Sequence, residues 1–175
     1  MKHPTATDPT PDPVTDVARL TEVGRYDFDA PALKSALAKL AREAAEMVDL
    51  PIGLVSIVLG RAQFFAGSFG LDGTWMGDAG GSAVEWSFCA NAVRSGEPYV
   101  VEDAAADPLQ HDNPLVLLDG VRSYLGAPLI SPSGQVLGTC CTIGHTRREF
   151  TASEVAALQE LSARIVDELQ DHVIG

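Results

Sequence analysis

The three cysteines are the residues of this chain best suited to chemistry, because a thiolate can act as a nucleophile or as a redox centre. Cys89 lies in the segment Trp86-Ser-Phe-Cys89, and a helix that starts near Ser87 would place its thiol in the first turn. The positive end of a helix dipole lowers the pKa of a thiol and makes it more reactive. The competing interpretation is that Cys89 is a small apolar residue that packs this helix against the core.

Cys140 and Cys141 are adjacent in a predicted strand, so their side chains should point to opposite faces of the sheet. A bond between them would distort the backbone, whereas a pairing of Cys89 with one of them is geometrically conceivable. The odd number of cysteines and the lack of a secretion signal argue against a disulfide framework. The chain has no Cys-x-x-Cys spacing and four scattered histidines, so no metal site is predicted. The sequence identifies no cofactor.

Aromatic and polar residues around Cys89 form a second group of candidates. The aromatic ones could line a pocket for a planar ligand or belong to an ordinary core: Trp86, Phe88, Tyr99 and Tyr124. Tyr124 has the stronger case for a site, because a buried hydroxyl needs a hydrogen-bond partner. Arg122 could hold an anionic ligand or pair with one of the many acids.

A long polar connection supplies acceptors and one group that titrates near neutral pH, namely Asp103, His111, Asp112 and Asn113. The last two of these residues, which precede Pro114, also form an ordinary turn signal.

The chain has 175 residues, of which 46% are apolar, and a formal net charge of −12. This length favours one domain with a proper core, and the acidity argues against nucleic acid and anionic membranes as partners. No apolar run approaches the roughly 20 residues that cross a bilayer, and the N-terminus lacks the apolar core of a secretion signal. We therefore expect a cytoplasmic protein with a disordered leader over residues 1–13 and a single domain over residues 14–175.

Hydrophobic periodicity predicts the elements in the first half of the chain. A short helix over residues 14–23 precedes a longer one that opens at Asp29-Ala-Pro31, with Asp29 as its cap, and stops near Asp49. Apolar strands over residues 52–59 and 62–69 follow. Residues 70–84 contain five glycines and no clear period, which predicts a mobile loop.

The second half alternates short elements with turns. The helix that carries Cys89 should end at Gly96, and a strand over residues 99–102 follows it. A helical turn near residues 115–118 and a hairpin of residues 121–130 and 135–144 come next. Thr151 and Glu154 form a capping box for the last helix.

Together these segments resemble the GAF domain family, in the form found in front of histidine kinases and diguanylate cyclases. The residues that carry the resemblance include Ser87-Phe-Cys-Ala90, Glu97-Pro-Tyr-Val-Val-Glu-Asp103, Asp107-Pro108, Arg122-Ser-Tyr-Leu-Gly-Ala-Pro-Leu129 and Leu137-Gly-Thr-Cys-Cys141. The resemblance implies an α/β (α+β) fold with a central antiparallel sheet of five or six strands. The N- and C-terminal helices would cover one face, and a small-molecule pocket would lie on the other.

The ligand-binding residues expected at that pocket are Trp86, Phe88, Cys89, Asp103, Asn113, Arg122, Tyr124 and Cys141. GAF domains that attach linear tetrapyrroles place a histidine after the attachment cysteine, but here Ala90 follows Cys89. Free methionine sulfoxide reductases of this family use three cysteines in one active site, and their spacing differs from that of this chain.

We therefore expect a stand-alone, non-catalytic sensory or regulatory module that binds a small molecule and acts through a signalling protein partner or a dimer interface. One alternative is a thiol-based redox sensor, or a reductase of the methionine sulfoxide type, that uses Cys89. The other is a structural dimerisation module without a ligand.

A homodimer is expected because both terminal helices carry apolar stripes. Val155, Val166 and Ile174 lie off the main stripe of the last helix and would need cover.

Overall fold

The computed structural model describes residues 10–175. Most of the predicted disordered leader, residues 1–13, therefore lies outside the described residues, and its last residue already begins a 3₁₀ turn over Pro13–Thr15. Asp12 caps this turn, because its carboxylate accepts a hydrogen bond from the Val14 amide. The chain continues into helices α1 (Val17–Val23) and α2 (Pro31–Val48).

Six strands form one antiparallel sheet, which confirms the expected fold class. They are β1 (Ile52–Val58), β2 (Ala62–Phe69), β3 (Gly81–Ala83), β4 (Tyr99–Val101), β5 (Ser123–Ile130) and β6 (Val136–Gly144). Their order across the sheet is β3-β2-β1-β6-β5-β4, so that β1 and β6 are central. Every residue of β1 is buried, as its nearly continuous apolar sequence predicts.

The two faces of the sheet carry different layers. Helix α2 packs on β1 and β2, and α6 (Ala152–Gln170) packs on β5. The opposite face carries α4 (Cys89–Ser95), which lies over β6, β5 and β1. Alternation along β6 puts Cys140 in the layer under α2 and α6 and Cys141 in the layer under α4, as predicted.

The close approach of α2 to the sheet depends on two glycines. A Cβ at Gly53 would collide with the carbonyl oxygen of Ala41, and a Cβ at Gly67 would collide with that of Leu37. The backbone of α2 thus lies directly on β1 and β2, which fixes this layer firmly against the sheet.

The start of α2 differs from the prediction. Ala30 is the N-cap residue and makes no side-chain capping bond, whereas the Asp29 carboxylate pairs with Lys34 at 3.2 Å. Pro31 suits the first position because its missing N–H would have no partner there. The helix ends as predicted at Asp49, which adopts a left-handed conformation with φ of 53°.

The glycine-rich segment 70–84 is more regular than the predicted loop. It contains α3 (Trp75–Ala79) and the edge strand β3. The Thr74 hydroxyl caps α3 by accepting a hydrogen bond from the Gly77 amide, and Gly80 ends the helix in a left-handed conformation. Elements this short contain too few residues to show a hydrophobic period.

The remaining elements follow the sequence signals closely. Helix α4 begins at Cys89, two residues after the predicted start, and ends at Gly96 in a left-handed conformation. A 3₁₀ turn over Val84–Trp86 precedes it, and α5 (Pro114–Leu117) is a single turn. The capping box of Thr151 and Glu154 is present at the start of α6.

The outer surface of the terminal helices is less apolar than the sequence suggested. Val166, which was predicted to need cover, is buried between α6 and the sheet. Val17 and Ile174 remain exposed, at 75% and 60%. Among residues 10–175, none of the helices combines the length and apolarity that a bilayer span requires.

Candidate functional site

Two cysteines from different elements meet beneath α4. Cys89 is the first residue of this helix, and Cys141 lies below it on β6 between Leu54 of β1 and Gly126 of β5. Their Sγ atoms are 3.8 Å apart, and both residues are buried free thiols. Cys89 and a strand cysteine therefore lie next to each other across the fold, as was conceivable from the sequence, but as free thiols and not as a bonded pair.

The hydroxyl of Tyr124 completes this cluster. Gly126 follows two residues later on the same face, and a Cβ there would collide with the Tyr124 hydroxyl. The ring of Tyr124 can therefore lie over Gly126, and its hydroxyl donates a hydrogen bond to the Cys89 Sγ atom at 3.2 Å. Phe88 stacks on the same ring with centroids 5.2 Å apart. We call Cys89, Cys141 and Tyr124 the dithiol cluster.

Two further hydroxyl groups belong to the same face of the sheet. Ser56 and Thr139 pair across β1 and β6, two residues from Leu54 and Cys141 in their strands. Ser56 donates a hydrogen bond to the side-chain oxygen of Gln63 at 2.9 Å. The Thr139 hydroxyl is buried and makes no hydrogen bond of ordinary geometry among residues 10–175, but it lies close enough to the Cys89 sulfur to lower the pKa of that thiol.

The surroundings shift the pKa values of the two thiols in opposite directions. The hydrogen bond with Cys141, together with the hydroxyls of Thr139, Tyr124 and Ser56, lowers the pKa of Cys89 from 9.0 to about 6 against the opposing effect of burial. The neighbouring Cys89 sulfur and burial raise the pKa of Cys141 well above its ordinary value. Burial, followed by the charge of Cys89, also raises the pKa of Tyr124. The surroundings therefore favour the thiolate at Cys89 and the thiol at Cys141.

The third cysteine is kept apart from this chemistry. Cys140 faces the layer under α2 and α6 and is fully buried there. Burial raises the pKa of its thiol, so that it stays protonated and inert near neutral pH.

The structure unites four of the eight expected ligand-binding residues, namely Phe88, Cys89, Tyr124 and Cys141, in the interior under α4. These side chains fill the space between α4 and the sheet, where the sequence led us to expect a pocket. The dithiol cluster is therefore part of the packed core and also brings two free thiols into contact.

The other four residues lie apart from the cluster. Trp86 is on the outer surface, with its ring edge-on to Trp75. Asp103 accepts a hydrogen bond from a backbone amide in its own loop. Asn113 caps α5, and Arg122 donates to the carbonyl oxygens of Val116 and Val121. Of these four, Asn113 borders a cavity.

That cavity is an open cleft of about 320 Å³ between α4 and α5, which we call the α4–α5 cleft. Its polar lining residues are Glu85, Ser87, Asn91, Arg94, Gln110, Asp112 and Asn113. The first five were not expected at a site from the sequence, because they come from a 3₁₀ turn, helix α4 and a loop that only the fold brings together.

Buried polar groups form the floor of this cleft. The Ser87 hydroxyl donates to Gln63 at 2.6 Å and accepts from the Ala90 amide. The Asn113 amide donates to the Gln110 side chain at 2.9 Å and to the Trp86 carbonyl. Such satisfied networks are rigid and hold their polar groups in fixed directions.

A larger cavity of about 500 Å³ lies between the N-terminal segment and the end of α4. Its two arginines are already engaged. Arg94 pairs with Asp12 through two nitrogens, and Arg19 donates to the carbonyl oxygens of Pro13, Val14 and Val136. We therefore assign no ligand to this cavity. Within the described part of the chain, no group of three or more His, Cys, Asp or Glu residues is arranged to hold a metal ion.

The domain thus combines a six-stranded antiparallel sheet, two helices that cover one face and a short helix, α4, on the other face. A family model described as GAF domain matches residues 32–169. The chain belongs to the GAF domain family.

A curated relative is a cyclic di-GMP phosphodiesterase of Pseudomonas aeruginosa, which is 36% identical over 124 residues. The match covers 70% of this chain and 20% of the relative, so the chain spans about one fifth of the length of that protein. The phosphodiesterase activity in the name of that relative refers to the full-length protein.

Solved structures show the same fold at low identity. The GAF domain of a phosphoenolpyruvate-protein phosphotransferase from Coxiella burnetii has a TM-score of 0.66 and 18% identity, and the match covers 89% of this chain and 92% of that one. A type II free methionine-R-sulfoxide reductase from Thermoplasma acidophilum also has a TM-score of 0.66, with 12% identity and coverage of 85% and 99%. A second free methionine-R-sulfoxide reductase, from Neisseria meningitidis, has a TM-score of 0.62 and 18% identity, with coverage of 87% and 84%.

These neighbours correct one expectation. We predicted a non-catalytic module, and that prediction is wrong. Two of the structural neighbours are enzymes, and the curated relative is named a phosphodiesterase. A GAF fold of this size therefore does not itself imply the lack of a catalytic site.

Proposed function

We propose that this domain is a sensory or regulatory module that binds a small polar molecule with a cationic group in the α4–α5 cleft. The observation that supports the proposal is the buried polar floor made by Ser87, Gln110 and Asn113. Ligand sites place a few fixed polar groups in a concave surface, and about 320 Å³ is at the lower end of their volumes.

The rim of the cleft supports a cationic group on the ligand. Glu85 and Asp112 are exposed acids at the rim, whereas the positive charge of Arg94 is already paired with Asp12. The net field at the rim is therefore negative, in keeping with a formal charge of −12 for the whole chain.

The position of α4 gives such a ligand a route to the rest of the domain. Asn91 and Arg94 lie on this helix and border the cleft. The ion pair of Arg94 with Asp12 joins the helix to the N-terminal segment at 3.0 Å. A ligand that shifts α4 would therefore change the contact with the segment that leads into α1.

Native mass spectrometry of the protein purified gently from its own host tests the proposal. We expect a complex with a retained small molecule that is released on denaturation. Asn91→Leu removes a polar side chain from the cleft wall and should abolish retention, whereas Ser95→Leu, one turn further along α4 and outside the cleft, should not.

A charge-matched pair of variants tests the ligand class. Glu85→Gln should weaken retention because it removes an acid at the rim, and Glu97→Gln should leave retention unchanged because Glu97 lies outside the cleft. An empty wild-type protein, or equal retention by Asn91→Leu, would refute the proposal.

A further inference from the structure

The dithiol cluster has the composition of a reversible redox site. We infer that Cys89 and Cys141 are oxidised to a disulfide by a hydroperoxide, so that the domain responds to oxidants independently of any ligand in the α4–α5 cleft. The Sγ atoms are 3.8 Å apart, and a disulfide has a sulfur–sulfur distance of about 2.05 Å. The two atoms therefore need to approach by roughly 1.8 Å.

The element that carries Cys89 can make such a movement. Helix α4 has seven residues, and its packing contacts are with four strands, β6, β5, β1 and β4, and with the turn over Pro13–Thr15. Short elements with few contacts open and shift at a lower cost than a long core helix. Small peroxides would reach Cys89, which retains 3% exposure, during such openings.

The surroundings assign the attacking sulfur to Cys89. Tyr124 donates a hydrogen bond to this atom at 3.2 Å, and the Thr139 hydroxyl is a buried donor without a partner among the described residues. Both donors favour a negative charge on Cys89. Cys141 lacks the Tyr124 hydrogen bond and remains the protonated partner.

The reaction balances in two steps. The Cys89 thiolate attacks one oxygen of hydrogen peroxide, the O–O bond breaks, and the other oxygen leaves as water after taking up a proton, which gives a sulfenic acid at Cys89. The Cys141 sulfur then attacks the Cys89 sulfur, the S–O bond breaks, and the hydroxide leaves as water with the Cys141 proton. Two thiols lose two electrons in total, and one peroxide is reduced to two waters.

The disulfide would fix α4 to the centre of the sheet. The pairing of Arg94 with Asp12 connects the other end of this helix to the N-terminal segment. Oxidation at the buried end of α4 would therefore change the geometry of that connection.

The test uses the whole folded protein, hydrogen peroxide as the oxidant and dithiothreitol as the reductant. We expect the intact mass to fall by two hydrogen atoms and the number of thiols that can be alkylated after denaturation to fall from three to one. Digestion without reduction should give a peptide pair joined through Cys89 and Cys141. Dithiothreitol should restore all three thiols.

The adjacent cysteine supplies the matched control. Cys140→Ala should still form the disulfide and leave no free thiol after oxidation, since Cys140 faces the other layer. Cys141→Ala should instead stop at an oxidised Cys89, one oxygen heavier, which dimedone traps as the sulfenic acid.

The wild-type result decides the inference even if a variant fails to fold. Three free thiols after peroxide treatment, with the circular dichroism of the native fold, would overturn it. A disulfide that involves Cys140, or irreversible addition of oxygen without loss of hydrogen in the wild type, would overturn it as well.

Discussion

The Tyr124 hydroxyl is the hydrogen-bond donor closest to the Cys89 sulfur, and it is held there by the space above Gly126. Hydroxyl groups that point at a sulfur stabilise its thiolate more than its thiol. Tyr124 is therefore one of the groups that lower the pKa of Cys89, after Cys141 and Thr139, and removing its hydroxyl oxygen tests its share.

Tyr124→Phe should slow disulfide formation by hydrogen peroxide about threefold to tenfold at pH 7, because it removes one hydrogen bond to a charged sulfur. The ring and its stacking on Phe88 remain. The rate is measured by counting free thiols against time. Tyr99→Phe is the matched control, since the Tyr99 hydroxyl accepts a hydrogen bond from Gln110 and lies off the cluster. Equal rates for the two variants would contradict this role of Tyr124.

The same reaction should depend on pH in a defined direction. Because the pKa of Cys89 is lowered from 9.0 to about 6, the rate should rise as the pH passes about 6 and then flatten. The groups that face Cys89 are Cys141 and Thr139 on β6, Tyr124 on β5 and Ser56 on β1, and none of the other side chains in this set is charged at neutral pH. A rate that keeps rising towards pH 9 would contradict the lowered pKa.

The lowered pKa of Cys89 also determines how the free energy of unfolding changes with pH. A thiol with a lowered pKa in the folded state stabilises the fold fully above pH 9, and this contribution is lost as the pH falls through about 6. The Tyr124→Phe variant should show a smaller change over this interval in urea unfolding.

At the scale of elements, Arg148 joins the end of α2 to the start of α6. Its guanidinium donates to the Val48 carbonyl at 2.6 Å and to the Glu154 carboxylate, and it lies 4.7 Å from the centre of the Phe150 ring. This ion pair is the main cause of the lowered pKa of Glu154. One side chain thus satisfies a helix C-terminus and supports a capping box at once.

Arg148→Ala should lower the free energy of unfolding by about 1–3 kcal/mol, because it leaves the Val48 carbonyl and Glu154 without their charged donor. Arg148→Lys should recover only part of this loss, since an ammonium group cannot bind both acceptors in the planar geometry of a guanidinium. Urea unfolding measures both values. Arg147→Ala, at the exposed neighbouring position, should change stability by less than about 0.5 kcal/mol.

Acidification provides an independent check on this link. The lowered pKa of Glu154 means that its stabilisation is present above the ordinary carboxyl pKa and is lost as the pH falls through the folded value. The difference in stability between wild type and Glu154→Gln should therefore shrink at low pH. A constant difference would show that the Glu154 charge does not contribute.

Elements with long periods or strong caps could be predicted from sequence, and short ones could not. The apolar run of β1, the Gly96 terminus and the Thr151 capping box are local signals that the structure confirms. Helix α1 shows what the apolar pattern could not predict, because Arg19 is buried and Val17 is exposed. The Arg19 guanidinium donates to two carbonyl oxygens of the preceding turn and to that of Val136 on β6.

The same limit applies to the site. Alternation along β6 predicted that Cys140 and Cys141 face opposite layers. It could not predict that Cys89 reaches Cys141, because a distance of 3.8 Å depends on how α4 sits on the sheet. The α4–α5 cleft was missed because its lining residues come from separate segments, among them helix α4 and the turn before it.

For the whole molecule, we propose a homodimer formed by the terminal segments. The C-terminus lies beside the end of α1, with backbone bonds from Asp27 to His172 and from Ile174 to Arg25 at 2.8 and 2.7 Å. The exposed Val17 and Ile174 belong to these segments. The repulsion of two acidic subunits is screened beyond about 10 Å in ordinary salt.

Sedimentation equilibrium at micromolar concentration should show the dimer, and a clean monomer would refute it. Val17→Glu should weaken the dimer without changing the melting temperature of the fold, because Val17 is 75% exposed. Leu118→Glu, at an exposed position outside the terminal segments, should leave the dimer intact. Val166→Glu should unfold the domain, because Val166 is part of its own core.

Because Cys140 and Cys141 are adjacent but face opposite layers, their rates of thiol labelling report separately on the opening of each layer. A bulky thiol reagent can reach Cys141 when α4 lifts from the sheet, but it can reach Cys140 only when α2 and α6 release the other face. The labelling half-times of these neighbouring residues therefore time two different openings of one molecule. Their ratio in the native protein reports how independently the two layers move.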